Sequence, residues 1–533
     1  MTSPRPASRR AGILVPLFSI PSTHSWGIGE IGDLVPTARW LERAGQRLLQ
    51  LLPINEMPPG EASPYSALSA MAIDPQFITL DHVEDFLAVG GEASLGAGAR
   101  ARLDAVRMAA TVQYATIREL KQIALRRAYV HFREREWESG TRRSAALRAY
   151  IQEQAWWLDD YALFRAIHAH QQERPWLDWP DPLRHRQPDA LASARIALAD
   201  DILFRQYLQW LAGDQWGSAR TSLGGVALFG DLPFMVSGDS ADVWARQGQF
   251  RLDASVGVPA DAFSDTGQDW GLPVYRWDVC AGTDFEWLRH RARRNADLFD
   301  GYRVDHLVGF YRTYFRPHDG GEPQFTPGTE PEQVTLGERV LDVLREPGAE
   351  ILAEDLGVIP EFVRTSLERV GVPGYKVFRW ERDWDAAGQP YRDPRSYQPS
   401  SVATSGTHDT EPLITWWESA PREEREAVLA IPSVRERLSD EDRSAAIDGE
   451  GLPHPVHEAL IEALYASGSN ILILPIQDVF AWRDRINQPA TVSDRNWTWR
   501  LPWPSDWFAV QPAAMAVATQ LREWVERHGR LPT

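Results

Sequence analysis

Short, almost wholly apolar runs recur along the chain, and each stops abruptly at small, polar or charged residues. They span 12–18, 48–54, 226–234, 301–306, 350–357, 374–380, 401–408 and 470–476. Continuous rather than alternating apolar character marks strands that are covered on both faces, as in a parallel sheet. Charge-rich segments with helical spacing lie between most of them, at 284–298, 337–345, 360–370 and 421–430. Eight strand-helix units predict an α/β fold, a closed (β/α)8 TIM barrel, although an open doubly wound sheet shares the same local grammar.

The spacing of the runs places the insertions. The stretch between the second and third runs is far longer than an ordinary connection and must be structured in its own right. Its segments 104–135 and 143–158 are rich in Ala, Leu, Arg and Glu, with apolar positions three or four apart. Residues 55–224 are therefore expected to form a large, mainly helical insertion between strands 2 and 3. The catalytic barrel is expected over 11–54 and 225–533. A smaller excursion, 237–277, rich in Gly, Pro, Asp and aromatic residues, is expected as a loop over the barrel mouth. Residues 316–332 read as a surface loop, 513–529 as a closing helix and 1–10 as a disordered start.

Charge and composition narrow the function. Over 533 residues the formal net charge is −18, which argues against nucleic acid or an anionic membrane surface as partner. The single cysteine, Cys280, permits no internal disulfide and no cysteine-based zinc cluster. With neither a signal peptide nor a membrane span at the start, a cytoplasmic location is expected. Tryptophan is the outlier at 23 residues. Many will be core, but several stand in polar loops, where a flat apolar face suits a sugar ring.

The strand ends carry the candidate chemistry, because the C-terminal rim of such a barrel is where active sites are built. The third run reaches Asp231, the fourth Arg303, Asp305 and His306, the fifth Glu354 and Asp355, and the seventh His408 and Asp409. Arg303 and Asp305 lie two apart and share a strand face, so the guanidinium would keep the carboxylate ionised. A structural ion pair gives the same pattern. Asp305 and Glu354, on adjacent strands roughly 5 Å apart, suit the separation of about 5–5.5 Å used by retaining glycosidases. A divalent-cation site is the alternative reading of an acidic rim, but no Lys stands among these strand-end motifs to serve as a base. A zinc site needs more converging ligands than His306 and His408 supply.

The ordered blocks G-I-L-V-P-L-F-S-I-P-S, G-I-G-E-I-G, S-P-Y-S, F-G-D-L-P-F, D-S-A-D-V-W, F-S-D-T-G-Q-D-W-G, G-Y-R-V-D-H, L-A-E-D-L-G, G-T-H-D-T, P-I-Q-D and N-W-T-W-R resemble those of the amylomaltases, the 4-α-glucanotransferases of glycoside hydrolase family 77. The resemblance runs over about 12–502. It implies no metal and no organic cofactor, and α-1,4-glucans or maltooligosaccharides as donor and acceptor. Residue by residue, it implies Asp305 as nucleophile, Glu354 as general acid/base and Asp409 as transition-state stabiliser. Arg303, His408, Asp231, Tyr65, Gln268, Trp270 and His306 match substrate-binding positions. The chain departs from the family pattern at Leu307, Val308, Ala262, Thr410 and Ala490, none of which is one of the three carboxylates. A hydrolase on the same scaffold would use the same residues with water as acceptor. A catalytically silent glucan-binding protein would not need an acid-base pair.

Overall fold

The structure, a computed structural model, describes residues 9–259, 267–489 and 491–531. The described residues form twelve strands: β1 (Arg10–Leu14), β2 (Leu48–Gln50), β3 (Ala227–Leu232), β4 (Phe250–Val258), β5 (Gln268–Tyr275), β6 (Gly301–Val304), β7 (Thr313–Pro317), β8 (Gln324–Thr326), β9 (Glu350–Ala353), β10 (Gly374–Val377), β11 (Ser401–Thr404) and β12 (Ile471–Pro475). Eight of them close into a parallel barrel in which each barrel strand pairs with the next along the chain and β12 returns to β1. The eight apolar runs supply these eight strands. They are apolar throughout because both faces are covered, the inner by the barrel core and the outer by helices such as Glu286–Leu298, Glu330–Arg345 and Glu361–Val370.

Two glycines permit the close approaches that this barrel needs. At Gly301 a Cβ would lie 2.5 Å from the Phe229 ring and 2.8 Å from the Glu350 carbonyl oxygen. At Gly374 it would lie 2.5 Å from the Asp355 carboxylate. That carboxylate has a structural task. β9 and β10 share the single register pair Gly374↔Ala353, and Asp355 extends the ladder by accepting from the Tyr375 N–H at 2.7 Å.

Between β2 and β3 the chain forms a loop, 51–83, followed by a set of helices that includes Ala97–Met108, Tyr114–Phe132, Arg142–His170 and Ala199–Thr221. The continuous helix expected over 104–135 is in fact two. The chain breaks at 109–113 because Thr111 bridges to Trp499 and Val112 N–H bonds the Thr498 carbonyl at 2.8 Å, a tertiary pairing that overrides helix propensity. Helix Ala199–Thr221 clamps the loop with two glutamine side chains. Gln209 brackets the backbone of Ile73 at 3.0 and 2.8 Å, and Gln215 brackets Thr79 at 2.8 and 2.9 Å. Each side-chain amide acts as a strand partner would, satisfying a donor and an acceptor that burial would otherwise orphan.

The four remaining strands form an antiparallel sheet in the order β5-β4-β7-β8. The excursion at 237–277 thus holds β4, β5 and the short helix Ala241–Ala245, and 316–332 contains β8 and the first turn of helix Glu330–Arg345, where loops were expected. Both were obscured by Gly and Pro in the turns, and by β8 being three residues long. The helix start shows a capping box of Thr329 and Glu332 with Pro at its first turn. Of the start expected to be disordered, residues 1–8 lie outside the described residues, whereas Arg10 already pairs with Ile471 and bonds Glu350 at 2.7 Å. Among the described residues no helix is long and apolar enough to cross a membrane.

Replacing Gly301 with Ala forces a methyl group into the Phe229 ring. The expected cost is about 1–3 kcal/mol, read as a lowered unfolding midpoint in denaturant; an unchanged midpoint would contradict the packing described.

Candidate active site

The register of the barrel sets Asp231 of β3 opposite Arg303 of β6. Arg303 is almost fully buried, and its planar fork reaches three carboxylates. Nη1 donates to Asp231 Oδ2 at 2.6 Å, Nη2 donates to Asp305 Oδ1 at 2.8 Å, and Nη2 lies 3.6 Å from Glu354 Oε2. Burial opposes the charge, but the surrounding carboxylates outweigh it and hold the guanidinium well above its ordinary value. Asp231 is buried behind the site. Its desolvation outweighs the pull of Arg303 and raises its carboxyl above the usual range.

The ladder continues past the strand ends and levels Asp305 with Glu354: Asp305 N–H bonds the Leu232 carbonyl at 3.0 Å and Glu354 N–H bonds that of Val304 at 3.1 Å. His306, at φ 43°, sits in the left-handed region that a non-glycine residue rarely enters. In that conformation its N–H points at Glu354 Oε2, 2.6 Å away. Burial pushes the Glu354 carboxyl up to about 7, with the charges of Asp305 and Asp409 adding to the rise and Arg303 and the His306 N–H opposing it. The His306 imidazole is lowered to about 4, because burial outweighs the nearby Asp305, so it is neutral near pH 7.

Asp409 belongs to a tight turn after β11. The Thr410 hydroxyl accepts from Thr407 N–H at 2.9 Å and donates to the Thr407 carbonyl at 3.0 Å, which explains how Thr serves at this departure position. Asn487 Nδ2 donates to Asp409 Oδ1 at 2.7 Å, and His408 Nε2 lies 3.3 Å from Oδ2. Burial would raise the Asp409 carboxyl, but the His408 charge and the two hydrogen bonds hold it below the usual carboxylate range. His408 is raised in turn, since Asp409 outweighs the burial of the ring. The side chains of Asp305, Glu354 and Asp409 are 26%, 17% and 40% exposed, against 5% for Arg303, so the three carboxylates face the cleft while the cation stands behind them.

Tyr65 joins the two halves. Its hydroxyl donates to Asp231 Oδ2 at 2.9 Å and lies 3.2 Å from His408 Nε2, and its ring stacks on His408 at 5.5 Å. On the other side Trp270 meets His306 edge-on at 4.9 Å, and Phe234 fills the angle between them. Gln268, two residues before Trp270 on β5, accepts from its indole N–H at 3.2 Å.

Ten of the eleven residues singled out in the sequence thus fall in or beside one cluster, with Asp231 behind it, whereas Asp355 turns away to bond β10. Three neighbours were missed. Trp497 contacts both Tyr65 and His408 at 5.7 Å from an unusual φ of 63°, and it lay unassigned within N-W-T-W-R. Asn487 and Phe234 have no local signal that places them at a carboxylate or an imidazole. Of the departure positions, Leu307 and Val308 are buried in the core, while Ala262 and Ala490 lie outside the described residues. Among the described residues no group of three or more His, Cys, Asp or Glu is arranged to hold a metal ion.

A family profile described as 4-alpha-glucanotransferase matches residues 15–505. The chain is 33% identical over 511 residues to a 4-alpha-glucanotransferase of Thermus thermophilus, covering 92% of this chain and 95% of that one. It is 32% identical over 510 residues to a 4-alpha-glucanotransferase of Chlamydia pneumoniae, covering 93% and 91%. The solved amylomaltase of Streptococcus agalactiae, in complex with acarbose, superposes with a TM-score of 0.81 at 28% identity, covering 98% of this chain and 99% of that one.

Tyr65→Phe removes the hydroxyl that bonds Asp231 and leaves the ring stacked on His408. A hydrogen bond to a charged group contributes about 1.5–3 kcal/mol to stability, so the unfolding midpoint is expected to fall, and kcat/KM on maltotriose to fall with it as the Asp231–Arg303 pair loosens. Undiminished kcat/KM would show that the hydroxyl has no role in the site.

Proposed function

The chain belongs to the 4-alpha-glucanotransferase family and is a 4-alpha-glucanotransferase; from that premise we propose that it cleaves an α-1,4-glucan and passes the segment to the 4-hydroxyl of a second glucan or glucose through a covalent intermediate on Asp305. The observation that carries this reading is the shared guanidinium. Because one nitrogen of Arg303 lies 2.8 Å from Asp305 and 3.6 Å from Glu354, the two carboxylate oxygens are no farther apart than those lengths laid end to end. That fits the roughly 5–5.5 Å separation of a retaining pair better than the roughly 6.5–9.5 Å that leaves room for an attacking water.

Glu354, with its carboxyl raised to about 7, is the general acid that protonates the glycosidic oxygen while Asp305 attacks the anomeric carbon from the opposite face. Since Oε2 already accepts from the His306 N–H, the proton belongs on Oε1. Formation of the glucosyl ester removes the negative charge of Asp305, which is one of the causes of the raised Glu354 carboxyl. Glu354 therefore becomes the stronger acid, and its conjugate base can deprotonate the acceptor 4-hydroxyl. The nucleophile's own charge switches its partner from acid to base between the two half-reactions.

Asp409, ionised and open to the cleft, is placed to hold sugar hydroxyls and to favour the oxocarbenium-like ring. His408 offers a further hydrogen bond to the donor sugar, Tyr65 an aromatic ring on the acceptor side, and Trp270 an aromatic face on the other side of the cleft. The hairpin of β4 and β5 carrying Gln268 and Trp270 is assigned the task of keeping water from the intermediate, so that a glucan hydroxyl reaches it first. A reducing, cytoplasmic setting fits the one cysteine, Cys280, which is buried and unpaired.

Asp305→Asn is expected to abolish the disproportionation of maltotriose while the protein remains folded by circular dichroism; retained turnover would overturn the nucleophile assignment. A second test is the pH profile. Cleavage needs Glu354 protonated, so kcat/KM is expected to fall as pH rises through about 7. Glu354→Gln is expected to remove that limb along with a factor of about 10²–10⁴ in rate. A limb that persists in this variant would assign the titration to another group.

A further inference from the structure

Away from the cleft, a cavity of about 80 Å³ lies between the base of the loop that carries Tyr65 and three helices of the insertion, Tyr114–Phe132, Arg142–His170 and Ala199–Thr221. Four cations line it, Arg118, Lys121, Arg165 and Arg205, together with Glu56, Asp74 and Glu173. The hydrogen bonds decide which charges are still available. All three Lys121 protons are taken, by the carbonyls of Gln76 and Ile78 at 2.6 and 2.7 Å and by Glu30 at 2.7 Å. Glu56 is committed to Arg165 Nε at 3.1 Å and to the Tyr161 hydroxyl. Asp74 accepts from the backbone N–H groups of Gln76 and Met57 at 2.8 and 3.1 Å.

One guanidinium is left over, and a second is only distantly paired. Arg205 is nine-tenths buried, and among the described residues it makes neither a hydrogen bond nor an ion pair, its buried Nε included. Arg118 has a buried Nη2 without a hydrogen bond, and its nearest carboxylate, Asp74, is 3.9 Å away. A buried, unpaired cation is costly, and water alone does not neutralise it. Burial and the like charge of Arg165 push the Arg205 guanidinium below its ordinary value, against the attraction of Glu56 and Glu173, neither of which forms an ion pair with it. The cavity has room for several water-sized spheres, each of which needs about 10–15 Å³.

We propose that this cavity binds a compact oxyanion, inorganic phosphate or a group of the same shape and charge, held by the free donors of Arg118 and Arg205. Arginine forks match tetrahedral oxyanions in bidentate fashion. The site lies where Glu56 and Asp74 fasten the ends of the loop: Glu56 N–H bonds Ala72 at 3.1 Å and Asp74 N–H bonds Ile54 at 2.9 Å. An anion here ties that loop base to the insertion helices.

The test is thermal unfolding of the full chain against increasing inorganic phosphate, with ionic strength held constant by sodium chloride. A saturable rise in the midpoint, of about 2 °C or more at saturation, is expected for the native protein, and its loss in Arg205→Gln. If Arg205→Gln does not fold by near-UV circular dichroism, Arg118→Gln carries the same test. The absence of a saturable rise, or an equal rise in the folded variant, overturns the proposal.

Discussion

The cleft depends on one buried cation. Arg303 projects from the middle of an otherwise apolar strand, and its charge is tolerable there only because carboxylates meet its fork on both sides. Asp231 is given up to that purpose behind the site. Asp305 and Glu354 stand in front, close enough to the same nitrogen to be held near one another. Burial, with the repulsion of Asp305 added to it, raises the Glu354 carboxyl and favours its protonated form near neutrality. The arrangement that stabilises the strand end is therefore also the one on which the proposed division between nucleophile and acid relies.

The surrounding elements keep that charge cluster in place. The left-handed backbone at His306 turns its N–H toward Glu354, at the cost of a conformation which the chain seldom adopts. Asp355, one residue on, faces the other way and extends the ladder to β10. Tyr65 arrives from a loop whose returning limb, at Ile73 and Thr79, is clamped by the glutamines of helix Ala199–Thr221, so the insertion positions a hydroxyl between Asp231 and His408 without contributing to the barrel.

Much of this was legible in the sequence because burial on both faces leaves a simple mark. The eight barrel strands stand out as apolar runs, and the charged residues that end them cannot be core. What escaped reading has physical reasons as well. In the β5-β4-β7-β8 sheet the two long strands do not alternate, since β4 buries four consecutive residues and β5 carries Gly271 and Pro273, so no period of two accumulates. The break at 109–113 is imposed by a partner almost 400 residues away along the chain, in the segment Thr498 and Trp499. Glu354 and Asp355 end the same run as neighbouring carboxylates; the resemblance picked out Glu354, and the structural task of Asp355 shows only in the direction of the chain after β9. Trp497 and Asn487 reach the site through tertiary packing that leaves no local trace.

The measurement that bears most directly on this arrangement is the mass of the Glu354→Gln protein after exposure to α-maltosyl fluoride, whose leaving group needs no proton. With the nucleophile intact and the base removed, one maltosyl unit should accumulate as an ester on the peptide that contains Asp305. An adduct on a different carboxylate, or release of fluoride with no adduct at all, would contradict the assignment of Asp305 and Glu354.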